Sequence, residues 1–347
     1  MSRPLLTGVV EGFYGRQWDW SVRRAYATFL QTQGLNSYLY CPKGDPFLRK
    51  RWREDWPSDQ LAELGRLAET YRDAGLYWGV GLSPYALYQD YSESAREALR
   101  AKIERINQFD GALLAILFDD MPGDCPSLAE RQVQIVLDVR EWSSAEQLLV
   151  CPTYYSFDPV LERFFGARPA HYWEDLGREL PSEIGVFWTG NAVCSDAITA
   201  ADVSAISQSL GRPPVLWDNY PVNDGEKACG KLNLAPLSGR SPDLVGELAG
   251  HFCNPMNQGL LSRLPLTGLA SLHGSDGRPV EDYFDADFLR QLELDLECFQ
   301  QTGLEGLSES ERAELVKKYT VLAEPAAAEI VAWLRGEYAF DPACLTG

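Results

Sequence analysis

Eight short runs of apolar, β-branched and aromatic residues recur along the chain, at 8–13, 37–41, 76–82, 113–118, 148–152, 186–188, 215–217 and 251–253. Most are continuously apolar rather than alternating, the pattern of strands buried on both faces of a helix-covered sheet. Longer amphipathic stretches separate them. Segment 58–74 has Ser58 as its candidate N-cap and closes on Gly75, and 92–109 opens on Ser92 with Glu93 in its first turn. Segment 127–142 spaces Leu128, Val133, Val136 and Val139 along a helix, and 197–210 closes on Gly211. A series of this kind builds parallel sheet, and eight repeats within about 280 residues predict a closed (β/α)8 TIM barrel. An open doubly wound sheet is the alternative, weakened because no Gly-x-Gly-x-x-Gly turn follows the first run. The remainder reads as helix only, at 285–302, 308–322 and 326–336. The expected organisation is a catalytic barrel over 1–280 and a short C-terminal helical extension over 281–347.

A barrel of this size needs no metal or disulfide to hold its core. Lys plus Arg number 31 against 50 Asp plus Glu, a net charge of −19 that argues against nucleic acid and anionic lipid as partners. No apolar run approaches the roughly 20 residues that span a bilayer, and the opening residues carry no export signal. The eight cysteines are scattered without a Cys-x-x-Cys, and His171, His251 and His273 are far apart in sequence. Reduced thiols, a cytoplasmic location and no cofactor or zinc are the expectations.

Functional groups of such a barrel belong at the carboxyl ends of its strands, and polar residues cluster there. Asp119-Asp120 at the end of the fourth run is the most informative pair. Neighbouring strand residues point to opposite faces, so both carboxylates share one cavity only if the strand has ended or bulges. Two close carboxylates push their pKa values apart, which lets one serve as an acid while the other stays charged. A helix cap beside a solvated Asp is the bland reading, and a divalent-metal site of Asp119, Asp120 and Asp124 is a third. Tyr14, Tyr155, Trp188 and Trp217 stand at the same rim, where a sugar ring could stack. Asn219, Asp224 and Asn254 offer partners for hydroxyls, Lys43 offers a cation, and Thr189 and Val193 complete the candidate binding set.

The stretch from Gly8 to Trp18, with Glu11-Gly12-Phe13-Tyr14-Gly15-Arg16 at its centre, resembles the opening strand of glycoside hydrolase family 84, the O-GlcNAcases and related β-N-acetylglucosaminidases. Six further blocks agree in order, among them Pro42-Lys43, Phe118-Asp119-Asp120, Pro152-Thr153-x-Tyr155, Trp188-Thr189-Gly190, Trp217-Asp218-Asn219 and Asn254-Pro255. The resemblance implies a retaining exo-enzyme that releases terminal β-linked N-acetylglucosamine (GlcNAc) from glycoproteins or small glycosides through a substrate-derived oxazoline. It implies Asp119 as acceptor for the acetamido N–H and Asp120 as general acid and base. Tyr155 and Asn219 then attend the acetamido group beside Trp217. Asp224, Lys43, Asn254 and the Gly12 carbonyl bind sugar hydroxyls. Gly44 stands where this family often has an acidic residue. A non-catalytic GlcNAc reader is the rival from another class.

Overall fold

The computed structural model describes residues 4–346. Eight strands close into one barrel of parallel neighbours: β1 (Leu6–Glu11), β2 (Ser37–Tyr40), β3 (Tyr77–Leu82), β4 (Leu113–Leu117), β5 (Gln147–Cys151), β6 (Gly185–Trp188), β7 (Val215–Asp218) and β8 (Gly250–Cys253). Closure pairs Leu6 of β1 with Gly250 of β8. The strands are buried almost throughout, as continuous apolar runs require, and the predicted (β/α)8 barrel is the fold.

Helices Trp20–Thr32, Ser58–Asp73, Glu93–Asn107, Leu128–Trp142, Ala200–Leu210 and Arg263–Leu272 cover the outside. Ser58 is the first helical residue rather than the cap, because Pro57 holds the extended position before it. The stretch 197–210 turns helical only at Ala200, where Thr199 and Asp202 form a reciprocal capping box. Two of the crossings depart from one strand, one helix. Between β5 and β6 the chain forms two short helices, Val160–Phe165 and Tyr172–Glu179. Between β7 and β8 it forms only the 3₁₀ segment Pro242–Glu247, in a stretch broken by Pro221, Gly225, Gly230, Pro236 and Gly239.

From Ala286 to Leu334 the chain is mostly helical, through Ala286–Glu297, Glu309–Thr320 and Pro325–Leu334, with a π-turn at Cys298–Thr302 following the first helix. A second apolar cluster joins these helices to Leu232, Leu234, Met256, Leu261 and Leu264 beside the carboxyl ends of β7 and β8. The extension therefore braces the face of the barrel that carries the functional rim. No helix among the described residues is long and apolar enough to cross a membrane.

Candidate active site

β4 ends at Leu117, one further backbone bond joins Phe118 to Cys151, and the next residues leave the sheet. Asp120 lies in the left-handed region at φ 54°. That conformation costs about 1–2 kcal/mol for a residue with a Cβ. It turns two consecutive carboxylates into one cavity of about 480 Å³, counted with its open mouth.

Within the cavity the two acids have different surroundings. Asp119 Oδ2 pairs with the ammonium of Lys43, and both side chains are more than nine-tenths buried. Its Oδ1 is buried with no hydrogen-bond partner among the described residues. Such an acceptor is costly to leave unpaired and fits a bound N–H. Asp120 is held by two phenols: Tyr155 donates to Oδ1 at 2.9 Å and Tyr14 to Oδ2 at 2.8 Å. Burial and the Asp120 charge push both phenols well above the ordinary tyrosine range, so they remain donors.

Opposite the acids, β7 and β8 supply a neutral wall. Trp217 Nε1 donates to Asn219 Oδ1 at 3.0 Å, and Asn254 Nδ2 donates to the same oxygen at 3.1 Å. Asn219 Nδ2 donates to the Val193 carbonyl at 2.7 Å, which ties the loop after β6 to the wall. Asn254 Oδ1 also accepts the Gly12 N–H at 3.1 Å. Glycine is required at position 12, since a Cβ there would lie 2.2 Å from the Trp217 ring. Asp224 accepts the Tyr14 N–H at 2.7 Å. Burial, with the Asp120 charge adding to it, raises the Asp224 carboxyl to about 6 against the pull of that N–H.

The acids thus have a cation, two phenols, an indole and two amides converging on one cavity. The sequence profile of the β-N-acetylglucosaminidase family matches residues 7–282. The chain belongs to that family. The resemblance to glycoside hydrolase family 84 is borne out. Over 263 residues the chain is 32% identical to the protein O-GlcNAcases of Rattus norvegicus and Mus musculus, covering 73% of this chain and 28% of each relative. It therefore spans little more than a quarter of their length. Among solved structures, a mutant of the Thermobaculum terrenum O-GlcNAc hydrolase superimposes with a TM-score of 0.77 at 29% identity, covering 96% of this chain and 81% of that one.

Of the residues expected in the β-N-acetylglucosaminidase pocket, Gly12, Tyr14, Lys43, Asp119, Asp120 and Tyr155 line the cavity. So do Thr189, Val193, Trp217, Asn219, Asp224 and Asn254. Trp188 is the exception. It is 1% exposed, packs edge-on against Phe157 at 5.6 Å and does not reach the cavity. The metal triad does not form either: Asp124 is exposed and outside the cavity, and Lys43 already holds Asp119. Glu11, the last residue of β1, is buried outside the cavity and clasped by Arg23 and Tyr38.

Two features were missed. Cys344 and Thr346 also line the cavity, with Thr346 Oγ1 3.3 Å from the Tyr155 hydroxyl. They arrive on the segment after Pro325–Leu334, which crosses the rim where Arg16 pairs with Glu337 at 3.0 Å. Separately, Asp218, His251 and Cys253 bring ligand-type atoms within 4.8 Å of one another. Asp218 comes from β7 and His251 and Cys253 from the neighbouring β8, so spacing in sequence does not reveal the group. A guanidinium already occupies that place: Arg240 binds Asp218 through two nitrogens at 2.6 and 2.7 Å.

Proposed function

We propose that this chain is a retaining exo-β-N-acetylglucosaminidase that acts by substrate assistance. The observation that carries this reading is the buried, unpartnered Oδ1 of Asp119 next to an Asp120 held by two phenols. The acetamido N–H of a β-linked GlcNAc would supply the missing donor. Its carbonyl oxygen is then turned toward the anomeric carbon, with Tyr155 and Asn219 on either side of the group. As the carbonyl oxygen bonds to that carbon, the glycosidic bond breaks and Asp120 passes its proton to the departing oxygen. The positive charge that develops on the acetamido group is met by Asp119. Water then opens the oxazoline, and Asp120 recovers a proton from it. Two attacks from opposite faces leave the configuration retained. Asp224, Lys43, Asn254 and the Gly12 carbonyl take the sugar hydroxyls, and no metal or cofactor enters any step.

The aglycone class we infer is Ser- or Thr-linked O-GlcNAc on proteins in the cytoplasm. The likeness to protein O-GlcNAcases and to an O-GlcNAc hydrolase, together with the polar groups that line the cavity, supports it.

The test is hydrolysis of 4-nitrophenyl and alkyl β-GlcNAc glycosides by wild type and Asp120→Asn, with and without EDTA. Alkyl glycosides, whose leaving group needs the proton, should lose about 10²–10⁴-fold, and the nitrophenyl glycoside far less. Equal losses on both substrates would remove Asp120 as the acid, and loss in EDTA would remove the metal-free scheme.

A further inference from the structure

Arg49 takes no part in the steps above, yet its guanidinium is built into the catalytic turn. The residue lies between β2 and the helix Ser58–Asp73 and is buried. Its Nη1 donates to Ser83 Oγ at 2.9 Å and reaches the Asp119 carbonyl at 3.5 Å. Its Nη2 donates to the Asp120 carbonyl at 2.8 Å. The Tyr85 ring lies 5.3 Å from the guanidinium carbon. Burial opposes the guanidinium charge, but Tyr14, Asp120 and Asp119 outweigh it and leave Arg49 more firmly cationic than an ordinary arginine.

A buried cation normally takes a carboxylate partner. This one makes no ion pair with a carboxylate among the described residues and spends its donors on a hydroxyl and two consecutive main-chain carbonyls. Those carbonyls belong to the peptide units on either side of the Asp120 Cα. Fixing both planes fixes the direction of the Asp120 Cα–Cβ bond, in a left-handed conformation the residue would not hold by preference. A rigid, forked donor can bridge two carbonyls in this way, whereas a lysine ammonium presents a single point of charge.

We propose that Arg49 is a positioning residue that aims the Asp120 carboxyl at the glycosidic oxygen by clamping the peptide planes around it. The proposal rests on Asp120 being the proton donor. A misaimed acid harms the substrates that need protonation and spares those that do not.

The experiment compares wild type, Arg49→Met, Arg49→Lys, Asp120→Asn and the double variant Arg49→Met/Asp120→Asn on alkyl and 2,4-dinitrophenyl β-GlcNAc glycosides. Circular dichroism and thermal melts confirm that each variant is folded. For Arg49→Met, kcat/KM, which reports the first step alone, should fall about 100-fold on the alkyl glycoside and less than about 5-fold on the dinitrophenyl glycoside. Arg49→Lys should show the same selectivity with a smaller loss, and it carries the test if Arg49→Met does not fold. The double variant should be no worse than Asp120→Asn alone, because both changes act on one proton transfer. Equal losses on the two glycosides, or losses that multiply in the double variant, would make Arg49 merely structural. If Asp120→Asn is itself unselective, the assignment of the acid has failed, and the role of Arg49 with it. If only the Arg49 variants are unselective, the acid stands and the clamp falls.

Discussion

Asp224→Asn should stabilise the protein while weakening its grip on the sugar. The Asp224 carboxyl is raised from 3.8 to about 6, first by burial and then by the Asp120 charge. A carboxyl whose folded value lies above its unfolded one gives its full contribution to stability below about pH 4. That contribution is lost as the pH rises through about 6. Two units correspond to about 3 kcal/mol, and because the side chain is partly exposed at the cavity, screening reduces this to about 1–2 kcal/mol. An asparagine bears no charge and keeps an oxygen for the Tyr14 N–H. Thermal melts should therefore show the variant about 2–4 °C more stable at pH 7.5 and equal to wild type at pH 4. The same substitution replaces a charged acceptor for the sugar hydroxyls by a neutral one, so KM for 4-nitrophenyl β-GlcNAc should rise about 10-fold or more. In wild type, KM should climb as the pH falls below about 6 and Asp224 takes its proton. A variant less stable than wild type at pH 7.5, or a stability gap that persists at pH 4, would refute the reasoning.

Replacing the acetyl group of the substrate by trifluoroacetyl should slow hydrolysis steeply, with mono- and difluoroacetyl in between, because fluorine weakens the carbonyl oxygen as nucleophile; rates indifferent to fluorination would exclude substrate assistance. Deleting residues 341–347 removes the Thr346 hydroxyl from beside Tyr155. If that segment competes for the place of the acetamido group, KM for the nitrophenyl glycoside falls about 2- to 10-fold with kcat retained. An unchanged or higher KM would show that the segment is part of the wall instead.

The barrel was legible because parallel strands buried on both faces leave apolar runs that little else produces. What the runs could not convey was how each crossing is made. The 3₁₀ connection before β8 and the paired short helices before β6 depend on where prolines and glycines interrupt a helix, not on apolar period. At the site, Asp119 and Asp120 were legible through a conflict: two adjacent acids at a strand end require the strand to stop, and the left-handed Asp120 is how it stops. Trp188 misled because a strand-end position was read as a rim position, whereas its ring turns away to Phe157. Arg49 and Thr346 were invisible for a common reason. Arg49 acts through main-chain carbonyls that any residue could present, and Thr346 reaches the cavity from 191 positions beyond its partner Tyr155.

The alternation along β7 links the Asp218 cluster to the same cavity. Trp217 and Asn219 line the cavity, so Asp218 between them points away from it. There Arg240 and His251 meet it, and although burial pushes the Asp218 carboxyl up, their hydrogen bonds outweigh burial and hold it below its ordinary value. Arg240 also binds the carbonyls of Ser195 at 2.8 Å and Asp196 at 2.9 Å. One guanidinium therefore ties the end of β7 to the loop that carries Val193, while on the cavity side Asn219 binds the Val193 carbonyl. The strand end and the loop are fastened on both faces. Across the cavity, Arg49 likewise binds the carbonyls of Asp119 and Asp120, so the turn after β4 and the loop after β6 are each tied through main-chain carbonyls to a buried guanidinium.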